Sequence, residues 1–252
     1  MNSISVRSLL VRGMLAGLAA GVLALVVAYL LGEPHVDAAI GFEEAHAHSH
    51  DAGEVELVSR SLQSTLGLAT GILLYGLAFG GIAGLAFCFA LGRIGRFGPR
   101  ATAALLSAAG LVAVYLVPFL KYPANPPSVG DPETIGKRTT LYFLMILLSV
   151  LLALGATVLG RRLAPSLGNW NATAVAVVAF VAAVGIAYAV LPTVDEVPED
   201  FPASLLWQFR LAALAIQVTL WSGFGLLFGH LAERLLSPAP ATAAPDATPA
   251  AV

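Results

Sequence analysis

Residues 139–160 read TTLYFLMILLSVLLALGATVLG and carry no charged side chain. A membrane-spanning helix needs about 20 mainly apolar residues, so this stretch alone predicts one transmembrane helix. The composition of the whole chain agrees, with 58% hydrophobic and 11% charged residues and a mean hydropathy of +0.85. Soluble proteins average about 25% charged residues. The sequence therefore predicts an all-α integral membrane protein.

Five further apolar runs bring the predicted total to six spans in a membrane domain over residues 1–236. Arg161, Arg162, Pro165 and Asn169 separate the fourth run from the fifth and favour two helices there. The tail over 237–252 is too poor in bulky apolar residues to fold alone and is predicted to be a disordered cytoplasmic end. The six predicted spans are 9–31, 66–91, 101–120, 139–160, 172–191 and 205–236.

Charged residues are distributed unevenly between the two sides of the predicted bundle. Lys and Arg are retained on the cytoplasmic side of short loops, and eight of them lie on one side against four on the other, which predicts that both termini are cytoplasmic. Thirteen of the fifteen acids fall on the opposite, outer side. That acidic surface would attract cations, although outer loops can also simply be solvated. The eight cytoplasmic residues are Arg7, Arg12, Arg93, Arg96, Arg100, Arg161, Arg162 and Arg234.

A weak internal repeat links three predicted outward helices. Each ends in a tyrosine followed within five residues by a proline, at Tyr29, Tyr115 and Tyr188. One interpretation is three tandem helical hairpins. The other is that membrane helices commonly end in aromatic residues at the interface.

The predicted outer loop over 32–65 is rich in histidines and acids. Imidazole suits cobalt, nickel, zinc and copper, and neighbouring carboxylates can complete a site with oxygen. A tract in a loop would collect and pass on ions rather than hold one tightly, because a rigid site needs supporting contacts. The alternative is a polar linker with no metal role. The predicted metal ligands are His46, His48, His50, Glu43, Glu44 and Asp51.

A second predicted outer loop, over 121–138, contains several prolines that exclude a continued helix. Its extended backbone leaves carbonyl groups that could coordinate cations if they line a wet cavity. The alternative is a rigid surface turn. The loop residues predicted to form a transport path or gate are Lys121, Tyr122, Pro123, Pro126, Pro127, Asp131 and Arg138.

Two polar residues of the last span are assigned to the same path or gate. Arg210 lies near the outer boundary and either extends to the interface or pairs with Asp195, Glu196, Glu199 or Asp200 to hold a gate. Gln217 lies deeper, where its amide oxygen would either coordinate a passing ion or bond a neighbouring helix.

Two segments of this chain resemble the CbtA family of predicted cobalt transporter subunits. The resemblance implies a polytopic prokaryotic permease component for Co²⁺, linked to cobalamin synthesis and paired with a small single-span subunit, CbtB. The family is usually described with about five spans, whereas six are counted here. The first segment is Lys121-Tyr122-Pro123 with Pro126-Pro127, Gly130, Arg138-Thr139 and Tyr142, and the second is Trp207-Gln208-Phe209-Arg210 with Gln217 and Trp221.

No nucleotide-binding glycine loop, zinc-protease helix or hydrolase elbow occurs in the sequence. We therefore predict a non-enzymatic, multi-pass subunit of the inner or cytoplasmic membrane that takes up divalent cobalt. It would contact the lipid bilayer, the metal ion and a CbtB-like partner, with a homo-oligomer possible and no resident cofactor or nucleic acid. The alternatives are a membrane metal sensor or assembly scaffold that does not transport, and a transporter for nickel or zinc.

Overall fold

A computed structural model describes residues 3–46, 59–127, 129–130 and 132–236, and this part of the chain is helical without a strand. Three of the long helices contain a π-helical turn, at Ala28–Gly32, Gln63–Gly67 and Leu111–Leu116. A short 3₁₀ turn, Pro132–Thr134, precedes the longest helix. The α-helices are α1 (Ser3–Val27), α2 (Glu33–His46), α3 (Arg60–Leu62), α4 (Leu68–Ala90), α5 (Pro99–Gly110), α6 (Val117–Lys121), α7 (Ile135–Val190) and α8 (Ala203–Leu236).

Within the described residues, five continuous helices are long and apolar enough to cross a membrane. The fourth of them, α7, has 56 residues and would measure about 84 Å if straight, far more than a hydrocarbon core of about 30 Å. It folds back at Gly168, whose φ of 74° and ψ of 159° are not helical. A Cβ placed on Gly160 would lie 3.2 Å from the Cβ of Ala176, so the two halves run antiparallel. The prediction of an all-α membrane protein with about six spanning helices is confirmed.

The helices form three antiparallel pairs. α1 packs chiefly on α4, α5 packs on α8, and the two halves of α7 pack on each other, while α8 also contacts α1. The pairing differs from three tandem hairpins, because the α7 hairpin lies between the two members of the α5–α8 pair along the chain. α8 thereby joins the first pair to the rest of the bundle.

Glycines bring α1 and α4 into backbone contact. A Cβ on Gly17 would lie 2.2 Å from the carbonyl oxygen of Gly76, and one on Gly80 would lie 2.2 Å from that of Gly13. Only glycine allows two helices to approach this closely. The four-residue spacing of these glycines is therefore a packing seam.

An aromatic stack fills the centre of the bundle between α4 and α8. Phe224 and Phe228 lie parallel with ring centroids 5.1 Å apart, and Phe87 meets Phe228 edge to face at 5.0 Å. Phe79 contacts Trp221 at 4.6 Å and Phe224 at 5.1 Å. We call these five residues the aromatic stack.

Large apolar side chains cover the outside of the bundle. Ile82, Phe89 and Leu226 are each at least 70% exposed. Such a surface is stable against lipid tails and would be costly in water. The bundle is thus built to sit in a bilayer.

The predicted outer loop over 32–65 is helical in two of its parts, since α2 covers Glu33–His46 and α3 begins at Arg60. Ala39 and Phe42 lie three residues apart on one face of α2 and pack with Val129 and Phe201, where the Phe42 and Phe201 rings meet edge to face at 5.2 Å. This apolar contact stabilises α2, which the polar composition of the segment did not predict as a helix. Residues 47–58 lie outside the described part of the chain.

Candidate functional site

The two ends of the bundle differ in charge. At one end, which we call the acidic end, Arg60 bonds Glu33 and Asp37 of α2, and the segment between α7 and α8 carries four acids. At the opposite, arginine-rich end, Arg100 pairs with Glu233 and its guanidinium lies 3.1 Å from Nδ1 of His230. Most residues predicted for the path or gate lie at the acidic end.

Glu196 is the centre of a polar network at the acidic end. Its side chain is only 3% exposed, in the segment that connects α7 to α8. Asn125 Nδ2 donates to its carboxylate at 3.1 Å and Thr134 Oγ1 donates at 2.6 Å. Arg138 completes the set with a charge-assisted bond from Nη1. A buried carboxylate is stable when its oxygens are occupied in this way.

Two arginines tie the proline-rich loop to this carboxylate. Arg138 Nη2 donates to the carbonyl oxygen of Pro123 at 3.0 Å. Arg210, from α8, donates to the carbonyl oxygen of Ala124 at 3.2 Å and to Oδ1 of Asn125 at 3.0 Å. Two of the loop carbonyl groups expected to coordinate cations, those of Pro123 and Ala124, thus accept hydrogen bonds from guanidinium groups. We call Asn125, Thr134, Arg138, Glu196 and Arg210 the Glu196 latch.

The start of the same loop is fixed to the end of α7. Lys121 Nζ donates to the carbonyl oxygen of Tyr188 at 2.8 Å, and the Tyr122 hydroxyl donates to that of Pro192 at 2.8 Å. Burial raises the pKa of Tyr122, so this hydroxyl keeps its proton at neutral pH. The loop is held at its root as well as at the latch.

Gly130 allows the loop to close over Glu196. Its φ of 135° lies in the region that favours glycine. A Cβ there would lie 3.2 Å from the carboxyl carbon of Glu196. The preceding residue, Val129, is buried with Ala39 and Phe201, so α2 covers the closed loop from the side.

One family model matches nearly the whole helical bundle. The family model of CbtA, described as a probable cobalt transporter subunit, matches residues 6–233. The chain belongs to the CbtA family. A search of curated proteins and a search of solved structures each found no match.

Membership of CbtA makes this chain a multi-pass membrane protein of a cobalt transporter. The family description as a transporter subunit implies a further component and a metal ion substrate. The matched residues include the complete Glu196 latch. The recognition of CbtA from the Lys121-Tyr122-Pro123 segment is confirmed.

The structure brings together only some of the residues predicted for the path. Five of them lie in or beside the proline-rich loop and the Glu196 latch, namely Lys121, Tyr122, Pro123, Arg138 and Arg210. Pro126 is buried and Pro127 is exposed. Asp131 lies outside the described residues. Gln217 lies two helical turns from Arg210 along α8, beneath the latch.

The predicted histidine and carboxylate ligands fall at the edge of the described chain. Glu43 and Glu44 are exposed on the last turn of α2, which ends at His46. His48, His50 and Asp51 lie outside the described residues. Among the residues that are described, no group of three or more His, Cys, Asp or Glu side chains could hold a metal ion. The metal-ligand prediction therefore stays a prediction.

Sequence reasoning did not single out Glu196, Asn125 or Thr134. Glu196 was one of four acids considered as partners of Arg210, and Arg210 instead bonds the loop backbone and Asn125. Asp195 and Glu196 are adjacent, and nothing in their neighbours indicates which is buried. Only the fold of the 122–134 segment selects Glu196.

Proposed function

We propose that this CbtA chain carries Co²⁺ across a prokaryotic cell membrane, with the Glu196 latch as its outer closure. The observation that carries the proposal is the 3%-exposed Glu196 side chain, held by donors from the proline-rich loop, the 3₁₀ turn and the first turn of α7. At such a carboxylate, an arriving metal cation can take the place of the arginine that neutralises it. The family description supplies the metal.

The orientation that we propose places the acidic end outside and both termini in the cytoplasm. Support comes from the eight arginines at the arginine-rich end and the thirteen acids on the side of the acidic end, because Lys and Arg are retained on the cytoplasmic side. An acidic outer surface raises the local concentration of cations and directs them toward the latch.

The latch gives a simple mechanism for admission. A divalent cation carries twice the charge of the Arg138 guanidinium, so it competes for the carboxylate of Glu196 when it arrives from the acidic surface. Displacement of Arg138 also releases its bond to the carbonyl oxygen of Pro123. The carbonyl oxygens of the loop then become available to the ion, as expected for a wet membrane mouth.

Capture before the latch is assigned to His46, His48 and His50 with Glu43, Glu44 and Asp51. Support comes from the ligand chemistry of the tract and from α2, which leads from the closed loop toward it. Replacement of the three histidines by alanine should raise the cobalt concentration for half-maximal uptake more than it lowers the maximal rate. An unchanged concentration dependence would remove this capture role.

The remaining component is proposed to be a small single-span CbtB-like subunit, and the imported cobalt is proposed to supply cobalamin synthesis. The test is radioactive cobalt uptake by cells that lack their own cobalt and nickel importers. The chain is expressed alone or with the partner, against an empty vector, with excess nickel or zinc as competitors. Uptake above the vector is expected with the partner present.

Cobalt binding without uptake in either case, with the protein confirmed in the membrane, would overturn transport. It would support the sensor or scaffold function instead. Stronger competition by nickel or zinc than by unlabelled cobalt would reassign the substrate.

A further inference from the structure

Gln217 presents an unsatisfied polar atom near the middle of α8, the last of the helices long and apolar enough to cross a membrane. It lies about 21 Å along α8 from Ala203, and its Oε1 is buried without a hydrogen-bond partner in the described part of the chain. One turn further, Nε1 of Trp221 is also buried and unpartnered there. Polar atoms at this depth are costly, and those that are retained mark binding or transport positions.

The surroundings of Gln217 continue the polar route from the latch. Arg210 precedes Gln217 by seven residues, two helical turns, so both lie on one face of α8. The Gln217 side chain forms a hydrogen bond with the hydroxyl of Tyr75 on α4, while its Oε1 atom is left without a partner in the described part of the chain. Tyr115 and Tyr142 are close enough to Tyr75 to interact electrostatically. Polar groups from four parts of the fold therefore converge below the latch.

The route is closed on its inner side. Trp221 is 7% exposed and Phe224 is 1% exposed, and both belong to the aromatic stack directly below Gln217. Ser107 of α5 donates to the carbonyl oxygen of Trp221 at 2.8 Å and fixes this turn of α8. Gln217 thus lies between two closures, the latch above and the stack below.

The chemistry of this position suits a cation that keeps its water. The sequences of α1, α4, α5 and α7 contain no Asp, Glu or His, and α8 has only His230 and Glu233 near its end. Amide and phenol oxygens cannot compensate a bare divalent charge. They can accept hydrogen bonds from coordinated water, and weak binding of this kind permits release.

We propose that Gln217, with Tyr75, Tyr115 and Tyr142, forms an intramembrane transit site for a hydrated divalent cation. The proposal rests on the proposed transport function and assigns the intermediate position at which the ion binds during transport. The Oε1 of Gln217 accepts a hydrogen bond from a water that coordinates the ion. Movement of the ion toward the cytoplasm then requires the side chains of the aromatic stack to separate.

The first test is radioactive cobalt uptake by Q217L, at membrane levels equal to those of the wild type. Loss of a hydrogen bond to a charged species corresponds to roughly tenfold or more, so initial uptake should fall by at least that factor. The matched control is T219V, because the Thr219 hydroxyl bonds only the Ala215 carbonyl of its own helix. T219V should stay within about twofold of the wild type.

The second test needs no transport. The chain has three tryptophans, and Trp170 and Trp207 are 84% and 62% exposed, so W170F/W207F leaves Trp221 as the reporter. Co²⁺ quenches tryptophan emission at short range. Saturable quenching of Trp221 by CoCl₂ but not MgCl₂ is expected in the purified protein, and Q217L should lose it.

The two tests separate the site from the transport function. Uptake by the wild type with equal uptake by Q217L, and no saturable quenching, would overturn the transit site and leave transport intact. Quenching that Q217L abolishes, with no uptake under any condition, would keep the site and overturn transport.

Discussion

The Glu196 latch reaches α8 through Arg210, which lies two turns from Gln217 on the same face of that helix, yet the latch and the Gln217 site differ in hydrogen bonding. In the latch, the carboxylate of Glu196 receives three donors, and Arg210 bonds the loop that supplies one of them. At Gln217, the amide oxygen has no partner among the described residues. A saturated network holds a closed shape, whereas the Gln217 oxygen retains an unused capacity to accept a hydrogen bond.

This difference in hydrogen bonding determines how much free energy of unfolding is lost when a side chain of either region is replaced. Removal of one member of a satisfied buried pair leaves an uncompensated charge and costs several kcal/mol. Removal of a polar atom that has no partner relieves a cost, so it is close to neutral. Stability measurements on single variants therefore distinguish the two regions.

The largest loss of stability is expected for E196A. It removes the carboxylate that compensates the Arg138 guanidinium, at a cost of about 3 kcal/mol, which lowers the apparent Tm on the order of 10 °C for a chain of this size. Thermal unfolding in lipid nanodiscs, followed by circular dichroism, measures it. E199A is the control, because Glu199 is exposed. Equal shifts for the two variants would contradict the latch.

A smaller loss is expected for T134V, which keeps the side-chain shape and removes the 2.6 Å bond to Glu196. A hydrogen bond to a charged group contributes about 1.5 kcal/mol, so the apparent Tm should fall by about 5 °C. T140V is the control, since the Thr140 hydroxyl bonds only Gly136 of its own helix. A T134V shift no larger than that of T140V would remove Thr134 from the latch.

A still smaller loss is expected for Y122F, which removes the bond to the carbonyl oxygen of Pro192. One neutral hydrogen bond contributes about 1 kcal/mol, equivalent to about 3 °C in apparent Tm. Y29F serves as the control because Tyr29 is 56% exposed. If Y122F unfolds at the wild-type temperature, the loop root does not stabilise the closure.

A change no larger than that of Y122F is expected for Q217L, which loses the bond with Tyr75 but also removes the unpartnered Oε1, so its apparent Tm should remain within about 3 °C of the wild type. S149A is a matched companion, because Oγ of the fully buried Ser149 also lacks a partner in the described chain. The same unfolding assay applies. A loss for Q217L as large as that for E196A would show that Gln217 holds the helices together.

The sequence was sufficient for the class of fold and insufficient for its pairing. Apolar length and the Arg161–Asn169 interruption predicted two helices where one helix folds back at Gly168. The partnership of α5 with α8 depends on side-chain shape across the bundle, which periodicity does not record. α2 was predicted as loop because its acids and histidines outweigh the two apolar residues, Ala39 and Phe42, that dock it.

The candidate site was predictable in part. Arg210 stood out because charged side chains are expensive near a bilayer, and proline content marked the loop that was predicted to include Arg138. The role of the loop carbonyls was not predictable, since their acceptance of guanidinium bonds at Pro123 and Ala124 depends on the folded loop. The choice of Glu196 among four acids also depends on burial, which no local pattern indicates.

The most direct measurement is initial radioactive cobalt uptake by cells that express E196Q or E199Q together with the single-span partner. E196Q keeps the shape of the side chain but loses the charge that exchanges Arg138 for the metal, whereas E199Q changes an exposed acid. The account predicts uptake by E196Q that is lower than wild type by roughly tenfold or more, with E199Q near the wild type. Wild-type uptake by E196Q, at equal protein in the membrane, would contradict the account.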